Sequence, residues 1–339
     1  MKNDKAIGVV LFQLGGPDSL ETIEPFLYNL FSDPDIIDFP FAKIARKPLA
    51  KLISSNRARK IQSHYLEIGG KSPILEYTTA QARALESELN KSLEAKVFIA
   101  MRYWHPLTEE TVRAVEKKSL EELVLLPLYP QYSKTTTGSS LNEWYRQIAS
   151  SPVKDVPAKL VKQFYSHPTY LDAVVEKRES SPKKFPPGET VHIVFSAHSV
   201  PVSVIEAGDP YKHQIEATVE LVLGRGQWSH PHTLCYQSKV GASKWLQPSL
   251  HETLHHLGTQ KTKSALVVPI AFVSDHVETL NEINVEAREE AQDLGIRHFE
   301  MMPGLNDSPK FIQSLAELVL EAVGVRMWEA CSARRPDRV

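Results

Sequence analysis

Residues 265–272 read ALVVPIAF, and VSDHVETLNE follows at residues 273–282. The first run is almost wholly apolar, which is typical of a parallel strand whose two faces are both covered by helices. Similar short apolar runs recur along the chain and are separated by longer stretches with helical spacing. The predicted strands are residues 6–14, 96–101, 121–128, 158–163, 190–197, 232–237, 264–272 and 297–302. Because strands and helices alternate, the sequence predicts an α/β fold with parallel sheets.

The predicted strands divide into two sets of four that resemble each other. VVLFQLGGPDS (9–19) in the first set corresponds to HIVFSAHSVPVS (192–203) in the second. VLLPLYPQYS (124–133) corresponds in the same way to LVVPIAFVSDH (266–276), and each of these two carries a proline late in the strand. The repetition indicates two similar α/β domains.

The domain bounds predicted from these sets are residues 1–160 and 161–325, with a tail at residues 326–339. A helix at about residues 305–325 is expected to pack back on the first domain. The polar, proline-rich stretch at residues 177–189 indicates either a linker or a surface loop within the second domain.

Composition restricts the class of protein. The chain has 339 residues and a formal net charge of -2, which gives no argument for nucleic acid as a partner. Its two cysteines, Cys235 and Cys331, show no metal-binding spacing and fit a reducing compartment. No segment approaches the roughly 18 apolar residues that a membrane-spanning helix needs, and the first residues lack a signal-peptide cleavage site. We expect a cytoplasmic globular protein that is a monomer or a homodimer.

Polar and aromatic residues follow several predicted strands at their carboxyl ends, where ligands bind in open parallel sheets. Each such residue also has an ordinary structural interpretation: His198 as a hydrogen-bonded residue of the fold, and Asp275 with His276 as the cap of the next helix. Taken together they predict a cleft that carries out chemistry. The residues are Gly15, Gly16, Pro17, Arg102, Tyr103, Trp104, His105, Tyr129, His198, Ser238, Lys239, Asp275, His276 and Glu278.

Three glutamates stand four residues apart after the last of these strands. On a helix, Glu278, Glu282 and Glu286 would share one face, and each like-charged pair would cost roughly 0.2–0.5 kcal/mol. A solvated acidic face is one interpretation. The other is a column of carboxylates that carries cations inward or protons outward from the cleft. A helix with local widening of the π type would suit such a site.

The sequence resembles the ferrochelatases between about residue 6 and residue 323, and seven motifs occur in the order typical of that family. They are VLFQLGGPDSLETIEPFLYNLFSDPDII (10–37), IGGKSPI (68–74), MRYWHPLTEE (101–110), YPQYSKTTTGSS (129–140), FSAHSVPVSVIEAGDPY (195–211), CYQSKVG (235–241) and PIAFVSDHVETLNEINVE (269–286). The resemblance implies two Rossmann-like domains, each with a four-stranded parallel sheet flanked by helices, and a porphyrin cleft between them.

The resemblance also implies roles for single residues. His198 and Glu278 match the active-site pair, and Asp275 and His276 match their neighbours, so these four are the expected catalytic residues. His198, Glu278, Glu282 and Glu286 are the expected metal ligands. The expected porphyrin contacts are Leu11, Arg57, Tyr65, Ser72, Arg102, Tyr103, Tyr211, Ser238, Trp245 and Phe272, with Leu11 at a position where many relatives have Met.

The sequence departs from animal relatives, which hold an iron–sulfur cluster on one internal cysteine and three in a C-terminal tail. The internal position here is Lys134, and the tail contains Cys331 alone, so a four-thiolate cluster cannot form. The resemblance implies Fe²⁺ as a substrate, and this departure implies that the protein holds no iron–sulfur cluster and no other permanently bound cofactor.

Residues 36–53, IIDFPFAKIARKPLAKLI, place basic residues between apolar ones. This pattern predicts peripheral contact with an anionic membrane, on the inner face of the cell membrane. The alternative is a helix packed on the domain with a solvated basic face.

The expected reaction is insertion of Fe²⁺ into protoporphyrin IX, which gives protohaem and releases two protons as the last step of haem biosynthesis. The alternatives within catalysis are coproporphyrin as the substrate or another tetrapyrrole metal chelatase. The alternative outside catalysis is a carrier of tetrapyrrole or metal, which turnover would distinguish.

Overall fold

The computed structural model describes residues 3–36, 42–180, 185–239 and 243–325. Within them the chain forms two parallel four-stranded sheets, and all the predicted strands are confirmed. Strand β7 ends at Pro269 rather than at residue 272, because the backbone turns and the Phe272 N–H donates to the Pro269 carbonyl. The strands are β1 (Asn3–Gln13), β2 (Leu93–Met101), β3 (Glu122–Pro127), β4 (Ala158–Leu160), β5 (Val191–His198), β6 (His232–Gln237), β7 (Ser264–Pro269) and β8 (His298–Met301).

The two sheets have the same topology. The first has the order β2-β1-β3-β4, and the second has β6-β5-β7-β8, which is the first order with each strand number raised by four. All six strand pairings within them are parallel. This identity of order confirms the predicted pair of similar four-stranded α/β halves.

Helices connect the strands, and two of them contain π-helical segments. The helices are α1 (Ile23–Phe31), α2 (Ala42–Glu67), α3 (Ile74–Leu89), α4 (Thr108–Glu116), a π-turn (Lys134–Gly138) leading into α5 (Ser139–Ile148), α6 (Pro168–Ser180), α7 (Val202–Glu206), α8 (Tyr211–Gly226), α9 (Leu250–Thr259), a π-helix (Glu278–Ala287) leading into α10 (Arg288–Asp293), and α11 (Pro309–Ala322). Among the described residues, no helix is both long enough and apolar enough to cross a bilayer.

One apolar core continues through both halves. It contains Val9 and Leu126 of the first sheet, Phe195 and Val268 of the second, and the inner face of α11. Full burial of a side chain of this size stabilises the fold by about 1.5–3 kcal/mol. Helix α11 contacts α3 and α6, so the last helix does return to elements that precede the second sheet. The bounds of the two domains stay a prediction.

The stretch at residues 177–189 begins within helix α6, which continues through Ser180. Its assignment as a linker or as a surface loop stays a prediction. Residues 181–184 lie outside the described residues, and β5 begins at Val191.

Buried amides hold the carboxyl edges of the two sheets against each other. The Gln81 side chain of α3 donates to Ser274 Oγ and to the Asn306 carbonyl, both at 2.9 Å. After β3, the Gln131 side chain donates to Thr218 of α8 at 3.1 Å. Because these amides are buried, replacing either would leave its partners without hydrogen bonds. The edges at which polar residues were predicted to gather therefore lie close to each other.

Candidate active site

His198 is the last residue of β5, and one hydrogen bond holds its ring while another holds its backbone. Its Nδ1 lies 2.5 Å from the Ser199 carbonyl, and its own carbonyl accepts a hydrogen bond from the Tyr211 hydroxyl at 2.9 Å. With Nδ1 engaged, Nε2 points at Glu278 Oε1, 3.6 Å away. The side chain is 36% exposed, so a ligand in the cleft can reach it.

Glu278 is the first residue of the π-helix and lies between two imidazoles. Its Oε2 is 3.4 Å from Nε2 of His276, while its Oε1 faces His198. Burial alone would lower the pKa of His198, but the Glu278 carboxylate raises that pKa to about 9. Burial alone would raise the pKa of Glu278, but the two imidazoles bring it well below its usual range. At neutral pH the site therefore contains an imidazolium and a carboxylate.

Asp275 and His276 differ in their access to the cleft, although both are buried. Asp275 Oδ1 accepts from the Gly304 N–H at 3.0 Å and from Thr279 at 3.2 Å, and Oδ2 accepts from the Asn306 amide at 2.9 Å. With both oxygens hydrogen-bonded, Asp275 positions the turn before the π-helix, whereas His276 contacts Glu278 directly. The catalytic roles expected for these two residues stay a prediction.

Gly304 is required for this turn. A Cβ at this position would lie 2.8 Å from the Asp275 backbone nitrogen, which is closer than side-chain carbons approach backbone. The glycine lets the loop after β8 close onto Asp275.

The π-helix predicted for the carboxylate column is confirmed. Glu282 Oε1 accepts a hydrogen bond from the Ser238 N–H at 2.9 Å, and Oε2 accepts one from the Ser238 hydroxyl. The Gln237 amide donates to the Glu278 carbonyl at 3.0 Å and contacts Glu282 at 3.3 Å. Burial and then the charge of Glu278 raise the pKa of Glu282 above its usual value. Glu278 and Glu282 thus act on each other electrostatically.

Glu286 lies at the outer end of the column, where 48% of its side chain is exposed. Its Oε1 is 3.2 Å from Nε2 of His64 on α2. A second contact between the same elements is the hydrogen bond from Asn281 to Glu67, at 2.5 Å. Helix α2 therefore packs along the π-helix, and the outer carboxylate is at the surface.

The expected aromatic wall of the second half surrounds His198. The Phe272 ring lies 6.4 Å from the His198 ring and 4.7 Å from the His276 ring. Trp245 pairs through its backbone with Pro201, just after His198. The Trp245 indole N–H is buried and has no partner among the described residues. Tyr211, Trp245 and Phe272 thus each contact His198 or the segment that follows it, and their expected contact with porphyrin stays a prediction.

Leu11 does not line the cleft. It lies in the middle of β1, pairs with Ile99 and Leu126 across the sheet, and is completely buried. Leu14, which follows the end of β1, is half-buried and packs in a cluster with Trp104 and Val277. The apolar residue at the cleft edge is therefore Leu14, which sequence reasoning missed because it was taken as part of the strand.

Arg102 and Tyr103 belong to a buried network rather than to an open wall. Asp33 accepts from the Tyr103 hydroxyl at 2.6 Å and from Ser139 at 2.5 Å, and it pairs with the Arg102 guanidinium at 2.8 Å. The Arg102 side chain is only 11% exposed. Burial alone would raise the pKa of Asp33, but Arg102 and the hydrogen bonds lower it. The pair thus holds the first half together, and its expected contact with porphyrin stays a prediction.

Three other expected porphyrin contacts lie on or beside α2 and α3. Tyr65 is buried, and the pKa of its hydroxyl is raised by burial and further by the Glu278 carboxylate. Ser72 is buried too, and its N–H donates to the Pro17 carbonyl at 2.8 Å. Arg57 is half-exposed on α2 and, among the described residues, has no carboxylate partner. Of the three, Arg57 is the side chain available to a charged ligand.

A comparison with family models matches residues 6–323 to the ferrochelatase family. The ferrochelatase of Synechocystis sp. is 47% identical over 320 residues, which cover 94% of this chain and 82% of that protein. The ferrochelatase of Aquifex aeolicus is 46% identical over 316 residues, which cover 93% of this chain and 99% of that protein.

Solved structures show the same fold at much lower identity. SirB from Bacillus subtilis with Fe³⁺ matches with a TM-score of 0.55 and 12% identity, covering 94% of this chain and 96% of that one. The sirohydrochlorin chelatase SirB from Bacillus subtilis subspecies spizizenii, in complex with cobalt, matches with a TM-score of 0.52 and 11% identity over the same shares. These likenesses establish the fold of two similar α/β halves.

Proposed function

The chain belongs to the ferrochelatase family, whose members insert ferrous iron into a porphyrin, and we propose that protoporphyrin IX is the porphyrin that it takes. The observation that carries the iron-insertion activity is the pair of His198 and Glu278, which lie 3.6 Å apart at the end of β5 and the start of the π-helix. Insertion exchanges two porphyrin N–H protons for Fe²⁺, so the site has to accept protons as well as a cation.

The charges of the pair support a definite order of events. In the free protein, the Glu278 carboxylate keeps the pKa of His198 at about 9, so the ring is protonated at neutral pH and cannot act as a base. A cation bound at Glu278 neutralises that carboxylate and removes the reason for the raised pKa. His198 then releases its proton to solvent and can accept one from a porphyrin nitrogen, and after a second release to solvent it can accept the other N–H proton. Arrival of iron and activation of the base are thereby coupled.

Apolar residues near the pair support a second contribution to catalysis, which is distortion of the porphyrin. A free-base porphyrin is flat, and its nitrogen lone pairs have to tilt out of the plane before a metal can enter. Leu14, Trp245 and Phe272 offer apolar contacts near the pair. Binding energy from such contacts can be used to bend the macrocycle.

The acidic column provides a route for the cation or for the released protons. Glu282 lies one turn beyond Glu278 and has a raised pKa, whereas Glu286 is at the surface beside His64. Carboxylates and an imidazole suit Fe²⁺ in transit, because these ligands hold it weakly enough to release it. We propose that Glu286 and Glu282 pass charge between solvent and Glu278.

The function is tested by anaerobic mixing of the protein with Fe²⁺ and either protoporphyrin IX or coproporphyrin, followed by absorbance. Catalytic formation of haem from protoporphyrin is expected, with slower turnover of coproporphyrin. Faster turnover of coproporphyrin would reassign the substrate. Stoichiometric binding without metalloporphyrin would favour a carrier.

We further propose that the protein has no iron–sulfur cluster. The position of the internal cluster cysteine is Lys134, which begins the π-turn after β3. Cys235 is buried within β6, and burial raises the pKa of its thiol to about 12, so it is unsuited to ligate a cluster. Cys331 lies outside the described residues.

We also propose that the protein works in the cytoplasm, as a monomer or a homodimer, with peripheral contact to the inner face of the cell membrane. Helix α2 supports the contact, because Leu52 is 61% exposed beside the exposed cations Lys47 and Lys51. Lys51 also pairs with Glu24 at 2.5 Å, which favours the alternative of a helix packed on the domain. The segment at residues 37–41 lies outside the described residues.

A further inference from the structure

Two histidines and a glutamate converge on the outer face of the second half. His251 and His255 are one turn apart on α9, and their rings are 4.4 Å apart. Glu290 on α10 reaches both, since its Oε1 contacts Nδ1 of His251 and lies 3.3 Å from Nε2 of His255. The three ligand atoms all lie within 4.8 Å of one another.

The contacts in this cluster lack the geometry of ordinary hydrogen bonds. Glu290 Oε1 is buried, yet it accepts no aligned hydrogen bond from any described residue, although both ring nitrogens approach it. A buried carboxylate oxygen without a donor is costly. A cation shared by the oxygen and the two nitrogen lone pairs would remove that cost.

The donor set determines which cation fits. Two imidazoles and one carboxylate are ligands that suit divalent first-row transition metals such as Zn²⁺, Co²⁺ and Fe²⁺, whereas Ca²⁺ and Mg²⁺ prefer oxygen alone. Neighbouring ligand atoms around tetrahedral zinc are about 3.3 Å apart, given bond lengths of about 2.0–2.1 Å. The 3.3 Å between Glu290 Oε1 and Nε2 of His255 already matches this spacing, whereas the His251 ring has to move away from the carboxylate before an ion can enter.

We propose that His251, His255 and Glu290 form a second metal site, which binds a divalent first-row transition cation on the surface, away from the His198–Glu278 cleft. The histidine side chains are 67% and 52% exposed, so the site is open to solvent and leaves coordination positions for water. Glu252, also on α9, does not compete for the ion, because its carboxylate accepts a hydrogen bond from the Ser249 N–H at 2.8 Å in the helix cap. The ion joins α9 to α10.

The test counts metal ions bound to the tag-free full chain, without porphyrin, by equilibrium dialysis against Zn²⁺ and by Co²⁺ absorbance. The double variant His251→Gln/His255→Gln is expected to bind one equivalent less than the wild-type protein and to lose one set of Co²⁺ bands. An unchanged count with unchanged affinity would overturn the proposal.

A matched control is His256→Gln. His256 is on the same helix and is exposed, but its Nε2 contacts Gln260 at 2.9 Å, so its loss should leave the metal count unchanged. A count that falls equally in this control would also overturn the proposal, because it would indicate unspecific surface binding.

Two further measurements test whether the substitutions act only on the second metal site. The first checks that they leave the stability of the fold unchanged, and the second that they leave iron insertion unchanged. Thermal unfolding in chelator should give the same midpoint for the double variant, the single variant His255→Gln and the wild-type protein. Iron insertion at saturating Fe²⁺ should be unchanged in all three. A site that belonged to the catalytic cleft would instead lower insertion, and this result would contradict the separate location.

Discussion

Nε2 of His198 lies 3.6 Å from Oε1 of Glu278, and the two residues come from different structural elements, the end of β5 and the start of the π-helix. Each element is anchored independently: β5 by the centre of its sheet, and the π-helix by the turn around Asp275. The pair is therefore preorganised in the free protein. A preorganised base and carboxylate need no rearrangement before a cation arrives.

The acidic column should show graded losses. Glu282→Gln removes a buried charge one turn from Glu278 and should slow iron insertion more than Glu286→Gln, whose side chain is half-exposed. Glu278→Gln should be slower than either. Single-turnover absorbance measures all three, with Glu289→Gln on the exposed face of α10 as the control. Equal rates in every variant would indicate a solvated acidic face with no role in transfer.

Asp33 should contribute strongly to stability. Asp33→Asn leaves the Arg102 guanidinium without its closest carboxylate, and removal of one partner of a buried pair costs about 3–5 kcal/mol. Urea denaturation measures the change. Glu88→Gln, which breaks the exposed pair with Lys91, should cost no more than about 1 kcal/mol. Equal effects of the two changes would refute the role of the buried network.

The contribution of the Asp33–Arg102 pair to the free energy of unfolding should depend on pH. The pKa of Asp33 is lowered in the folded protein, so its contribution is fully present above the ordinary aspartate pKa of about 3.9 and disappears as the pH falls through the lowered folded value. The stability difference between the wild-type protein and Asp33→Asn should therefore shrink on acidification below about pH 4. A difference that grows there would contradict the assignment.

The purified protein should contain no acid-labile sulfide and no cluster absorbance in the visible range before porphyrin is added. The reason is Lys134 at the position of the internal cluster cysteine. Sulfide assay and anaerobic spectra measure this directly. Stoichiometric sulfide would mean that other thiols build a cluster.

Membrane contact should depend on lipid charge. The exposed Leu52 beside Lys47 and Lys51 predicts that the protein floats with liposomes rich in anionic lipid and remains unbound with neutral ones. Leu52→Gln should weaken the association, whereas Leu160→Gln, on the exposed strand β4, should not. If the protein stays wholly in solution with anionic liposomes, the membrane proposal fails.

The sequence predicted the sheets well, because a buried parallel strand has a strong signature. The apolar run of β7 predicts a buried strand by itself, and Pro127 and Pro269 mark equivalent ends in the two halves. The spacing of the three glutamates predicts that they share one helical face, and a helix with π-type widening, which would suit a carboxylate column, is what the structure contains there.

The sequence is less informative where burial depends on the place of a residue along a strand. Leu11 and Leu14 are chemically alike, and only their places along β1 decide that the first is in the core and the second is partly exposed. Contacts between distant residues are also hidden in the sequence. The pairing of Arg102 with Asp33 and the hydrogen bonds from Gly304 and Asn306 to Asp275 appear only in the fold.

The central claim is that His198 and Glu278 together insert iron, and it is tested most directly by single-turnover absorbance of two variants under anaerobic Fe²⁺. His198→Ala and Glu278→Gln should both still bind protoporphyrin, because the apolar walls remain. Metal insertion should fall by roughly 10²–10⁴ in each, which is the usual range for loss of a general base. Near-normal insertion by both variants would contradict the account.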